Sequence, residues 1–149
     1  TTRRGNMTEL IHEALTGIIR QTAFDVHLYF GTGFLEKVYE SSLVNRLRKK
    51  GLWVEQQQPI AVHDEDGTVV GDHVADLLVN NAVIVEVKAI KALSDEHVAQ
   101  VLNYLKSTGC KVGLLINFAS RKFVFKRLVF DLMRGPLCDD SALLGDLGG

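Results

Sequence analysis

Ala75-Asp76-Leu77-Leu78-Val79-Asn80-Asn81-Ala82-Val83-Ile84-Val85-Glu86-Val87-Lys88 is the stretch on which the reading of this chain turns. Two apolar runs flank a short Asn-Asn connection, the pattern of two paired strands. Three charged residues interrupt them: Asp76, Glu86 and Lys88. An ionised side chain in a buried strand is costly unless it is paired or bound to a metal. Two carboxylates and a lysine converging at strand ends can hold a divalent cation and polarise a phosphate.

Whether they converge depends on the turn. The two-residue period of a strand puts Ile84, Glu86 and Lys88 on one face and Val83, Val85 and Val87 on the other. A strict Asn80-Asn81 hairpin pairs Asp76 with Val85 and sends Glu86 to the opposite face. A three-residue loop, Asn80-Asn81-Ala82, pairs Asp76 with Glu86. Asparagine tolerates the left-handed backbone that such a loop uses, so both registers are open to this sequence.

Toward the N-terminus, apolar residues at a spacing of three and four predict an amphipathic helix from about Thr8 to Phe30, broken by Gly31-Thr32-Gly33. A second helix is expected over about 34–50, with basic residues in its last turn and Gly51 as its C-terminal cap. Strands are expected at 53–58, 60–63, 69–79 and 83–89, separated by Asp66-Gly67 and Asn80-Asn81. Ser94-Asp95-Glu96 opens a third helix, which Gly109 closes, and strands follow at 112–118 and 122–130. A helix joining the 83–89 and 112–118 strands is a crossover connection, so those two strands should be parallel. The tightly connected earlier strands should be antiparallel. The expected fold class is therefore α/β, or mixed α+β: one mixed central sheet flanked by helices.

Glu36 adds a third acid. Tyr39, Leu43 and Leu47 fall within about 60° of it on a helical wheel, so it lies in the apolar stripe and calls for a partner. An acid in a first helical turn is also favourable in its own right. Gln100 and Tyr104 share a ridge of the third helix with His97 and Val101, beside the Val98, Leu102 and Leu105 stripe. His27 is a weaker metal-ligand candidate, since a packed histidine on a helix is the more common case. His12, His63, His73 and His97 show no ligand grouping. Phosphate-binding glycine loops, nucleophile elbows and zinc-protease motifs are absent.

At 149 residues with 46% hydrophobic and 23% charged residues, the chain suits one domain with a real core. We expect a single domain over 7–131 and a poorly ordered tail over 132–149, where Gly, Asp and Leu recur without periodicity. No run is long enough to span a bilayer, and residues 1–6 lack an apolar signal region. Residue 1 is not Met, and Met7 is a candidate natural start. Two cysteines, Cys110 and Cys138, suggest reduced thiols and a cytoplasmic setting. A net charge of −1 is low for a binder of duplex DNA, which leaves local patches at 46–50 or at Arg121, Lys122, Lys126 and Arg127. Taken alone, each reads first as a solvated helix end or strand face.

Four motifs in order then carry a resemblance: Gly33-Phe34-Leu35-Glu36-Lys37-Val38-Tyr39-Glu40, Ala75-Asp76-Leu77-Leu78-Val79, Glu86-Val87-Lys88 and Gln100-Val101-Leu102-Asn103-Tyr104. From about His12 to Phe130 the chain resembles the GxxExxY proteins, small bacterial and archaeal members of the PD-(D/E)XK nuclease superfamily. The resemblance implies a restriction-endonuclease-like core with a four-stranded central sheet. It implies Asp76 and Glu86 as ligands of Mg²⁺ or Mn²⁺, Glu36 as the helix-borne acid that completes the site, and Lys88 as the polarising lysine. Gln100 and Tyr104 would match the QxxxY motif of the RecB-like branch. His73-Val74 departs from the aromatic or arginine that relatives often carry there. Two cysteines are too few for the four-cysteine iron–sulfur cluster of some relatives.

The function expected is a metal-dependent nuclease acting on nucleic acid, with DNA as the expected substrate and no membrane partner. A regulatory module of the same fold with little turnover is the alternative, favoured by the near-neutral charge. A third reading is a scaffold that forms a homodimer through the sheet edge at 122–130.

Overall fold

The computed structural model describes residues 12–130. The expected domain limits at 7 and 131, the helix start near Thr8 and the tail over 132–149 fall outside them. The described elements are α1 (Glu13–Phe30), α2 (Glu36–Lys49), β1 (Val54–His63), β2 (Val69–Val79), β3 (Val83–Lys88), α3 (Asp95–Thr108), β4 (Val112–Asn117) and β5 (Val124–Val129).

Local chemistry sets the helix ends. Leu52 N–H reaches the Leu47 carbonyl at 3.2 Å and Gly51 N–H the Arg48 carbonyl at 2.9 Å. Gly51 has φ 85°, so the end of α2 is a Schellman motif that a glycine makes cheap. At the start of α3, His97 Nδ1 accepts the Ser94 N–H at 2.9 Å, and Asp95 and Glu96 face the positive end of the helix dipole.

The sheet runs β1-β2-β3-β4-β5. Strands β3 and β4 are parallel with α3 as their crossover, and β1–β2 and β2–β3 are antiparallel, as expected; β4 and β5, for which the sequence set no orientation, are antiparallel too. The sheet is mixed, but it has five strands where the resemblance implied four. Strand β5 is an edge strand, as the scaffold reading required. At the other edge β1 is continuous, where two segments broken at Pro59 were expected. An edge strand has one row of N–H groups facing away from the ladder, so a proline there need not remove a ladder bond.

Helices α1 and α2 cover one face of the sheet, with Ile19, Val26, Leu43 and Leu47 packed among Leu77, Val85 and Leu114. Helix α3 covers the other, where Tyr104 and Leu105 meet Ile60, Leu78 and Ile84. Strand β3 lies between them, buried throughout except at its last residue, Lys88. Gly113 explains how closely α3 approaches: a Cβ there would meet Val101 Cγ1 at 2.6 Å. Cys110 is disulfide-bonded, so the expectation of a reduced thiol does not hold there, and Cys138 lies outside the described residues. Among the described residues no helix is long and apolar enough to cross a membrane.

Candidate metal centre

The loop between β2 and β3 is the three-residue one. Val79 pairs with Val83, and both Asn80 (φ 52°) and Asn81 (φ 53°) adopt the left-handed conformation. A contact distant in sequence holds this loop: Asn80 Oδ1 accepts the Trp53 N–H at 2.8 Å, and Asn80 N–H reaches the Trp53 carbonyl at 2.7 Å. The β2–β3 register runs through Leu78↔Ile84 and Leu77↔Val85. One step further, Asp76 stands opposite Glu86.

There the ladder changes character. Glu86 Oε1 accepts the Asp76 N–H at 2.9 Å, and Asp76 Oδ2 accepts the Val87 N–H at 2.8 Å. Carboxylates stand in for backbone carbonyls between the two strands. Burial, and then the neighbouring Asp76 charge, push the Glu86 carboxyl up to about 8. Asp76 is raised by burial too, against the Val87 N–H that favours its charged form, with Glu40 and Glu36 adding repulsion. Lys88 opposes both rises.

Glu36 opens α2, and its Oε2 accepts the N–H of Ala89, just past β3, at 3.3 Å. It is half-buried and acts on both other acids through its charge. Its placement rests on Tyr39, whose hydroxyl donates to the Gly31 carbonyl at 2.7 Å and accepts the Phe34 N–H at 3.2 Å. The Tyr39 ring stacks on Phe118 at 4.9 Å, and Phe118 N–H bonds the Lys88 carbonyl at 2.8 Å. The tyrosine therefore pins the glycine loop that aims Glu36 at the end of β3.

On the α3 side, Tyr104 feels the charges of Glu86 and Asp76. Burial first, and then those charges, raise its hydroxyl, while a hydrogen bond from the Gln100 side chain opposes the rise. Its ring lies against His73 at 5.7 Å. Glu36, Asp76, Glu86, Lys88, Gln100 and Tyr104 are thus linked around one end of β3. His27 has other partners: the Ser120 carbonyl at 2.9 Å and the Phe118 and Phe123 rings. The basic run is also engaged elsewhere, with Arg46 over the Tyr29 ring, Arg48 on the Val54 carbonyl and Lys50 on Thr22.

Among the described residues no three His, Cys, Asp or Glu side chains form a metal cage. The candidate centre is the Asp76–Glu86 pair, with Glu36 at its margin. Mg²⁺ is commonly held by one or two carboxylates, with water and substrate phosphate completing its shell, so this oxygen donor set fits such an ion. A buried and a half-buried carboxylate whose charged forms are disfavoured gain directly from a cation beside them.

Glu40 and Gln57 belong to this group and were missed by sequence reasoning. Glu40 is 3% exposed and receives Lys37 Nζ at 2.9 Å together with the amides of Gln56 and Gln57. Its spacing to Leu43, Val44 and Leu47 is the signal that marks an acid in the apolar stripe. Gln57 has no such signal.

A family model described as the PD-(D/E)XK nuclease superfamily matches residues 13–128. No curated protein and no solved structure matches the chain.

Proposed function

Because the chain belongs to the PD-(D/E)XK nuclease superfamily, whose members are generally nucleases, we propose that it hydrolyses phosphodiester bonds of nucleic acid with Mg²⁺ or Mn²⁺, DNA being the first substrate to test. The observation that carries this reading is the mutual capture of strands by Asp76 and Glu86 beside Lys88. A divalent ion, when bound, supplies Lewis acidity toward the phosphate and lowers the pKa of water. Asp76 and Glu86 hold that ion, and Glu36 supports the arrangement from α2. Lys88 stabilises charge developing on the phosphate, as a fixed cation in a largely desolvated site does. Gln100 and Tyr104 hold the strand or orient the attacking water through neutral hydrogen bonds.

Within the superfamily we assign the chain to the GxxExxY proteins on Gly33, Glu36 and Tyr39, and to the RecB-like branch on Gln100 and Tyr104. The net charge of −1 favours one alternative, a binding module of the same fold with little turnover. Incubating single- and double-stranded DNA and RNA with the intact chain and with Glu86→Ala, in Mg²⁺, Mn²⁺ and chelator, separates the two. Cation-dependent cleavage lost in the variant supports the nuclease. Mn²⁺ binding without cleavage of any substrate supports the module.

A further inference from the structure

Gln57 lies in the middle of β1 with φ 58°, a left-handed conformation foreign to strands and unfavourable for any residue but glycine and, less so, asparagine. The strand does not slip there: Gln56 pairs with Leu77 and Gln58 with Ala75 on either side. Asp76 is the residue opposite. The strain therefore sits directly across from a carboxylate of the metal centre, while the ladder continues past it.

The Gln57 side chain indicates what holds this conformation. Its amide nitrogen donates to Glu40 Oε1 at 3.1 Å and Oε2 at 3.2 Å, and reaches Asp76 Oδ1 at 3.5 Å. With carboxylates on every side, the nitrogen end of the amide must face them. Glu40 is buried and anchored from α2 and β1 by Lys37 and Gln56. The other Asp76 oxygen is already committed to the Val87 N–H. Between them, Val87 and Gln57 engage both oxygens of that carboxylate.

We propose that Gln57 is a positioning residue: anchored on Glu40, it orients Asp76 for the cation, and its strained backbone is retained for that contact. Backbone strain at functional sites persists when surrounding contacts over-determine it, and partners of metal ligands set ligand orientation. The inference rests on the reading of Asp76 as a cation ligand.

Gln57→Ala and Gln57→Gly in the full chain test it, with Mn²⁺ affinity measured by calorimetry and thermal melts taken without metal. Both variants lack the amide, but only glycine relieves the backbone. Metal-free Tm should be higher for Gln57→Gly than for Gln57→Ala, while Mn²⁺ affinity falls about tenfold or more in both. A purely structural role predicts that affinity follows stability. Intact-level affinity in Gln57→Gly, or affinity within about twofold of intact in both variants, overturns the proposal. If Gln57→Ala does not fold, Gln57→Asn takes its place, since asparagine tolerates the backbone but is one methylene too short to reach Asp76. An intact chain that binds Mn²⁺ and cleaves nothing overturns the nuclease reading alone. One that binds no Mn²⁺ overturns both.

Discussion

Asp76 and Glu86 each bond the backbone of the other's strand: Glu86 Oε1 takes the Asp76 N–H at 2.9 Å, and Asp76 Oδ2 takes the Val87 N–H at 2.8 Å. The two acids thereby replace ladder bonds and stay close together despite their repulsion. On the proposed function, a site built this way is destabilising when empty and should be stabilised when a cation enters, and that contrast can be measured.

Mn²⁺ should raise the Tm of the intact chain by mass action, and the rise should vanish in Asp76→Asn. Removing one of the paired charges should also make that variant more stable than the intact chain in the absence of metal. An equal Mn²⁺-dependent rise in both proteins would locate the ion elsewhere.

The pH dependence has a definite sign. Glu86 is pushed from 4.5 to about 8 in the folded state, so between those values the folded chain holds a proton that the unfolded chain has released. Stability of the metal-free protein should therefore be fully supported below about 4.5 and fall as pH rises toward 8. Denaturant melts across this window should show the decline, and Glu86→Gln should flatten it.

Turnover and metal binding should separate by residue. Glu86→Ala should lose both Mn²⁺ affinity and cleavage. Lys88→Ala should keep the affinity and lose about 10²–10³-fold in kcat, the usual loss for a group that meets charge only in the transition state. Tyr104→Phe should weaken activity with unchanged Mn²⁺ affinity. A Lys88→Ala protein with undiminished kcat would remove Lys88 from the chemistry.

Tyr39→Phe should cost about 1–2 kcal/mol in urea unfolding, because Gly31 and Phe34 lose a hydroxyl partner. It should also lower kcat, through looser placement of Glu36. Full activity in a destabilised variant would show that the tyrosine serves the fold alone.

Gly113→Ala should destabilise by about 1–3 kcal/mol through its contact with Val101. The test is the urea midpoint, read beside the activity: α3 carries Gln100 and Tyr104, so a helix pushed off β4 should lose both together.

Helices α1, α2 and α3, the antiparallel β1–β2 and β2–β3 pairs and the parallel β3–β4 crossover were legible in the sequence, because spacing, caps and turn residues act over a few residues of backbone. Ser94, Gly51 and Gly109 marked helix ends for local reasons, and the two-residue period placed Glu86 and Lys88 on one face of β3. Only the tertiary structure chose between the two turn registers. That choice rests on two left-handed asparagines and on Asn80 bonding Trp53, 27 residues away. Glu40 was missed although its spacing to Leu43, Val44 and Leu47 carries a signal, and its partners carry none, since Gln56 and Gln57 reach it from another element. Gln57 gave no local warning of its backbone. Its conformation follows from what lies across the sheet and beneath it, and a buried charge can be satisfied only by whichever elements the fold brings alongside it.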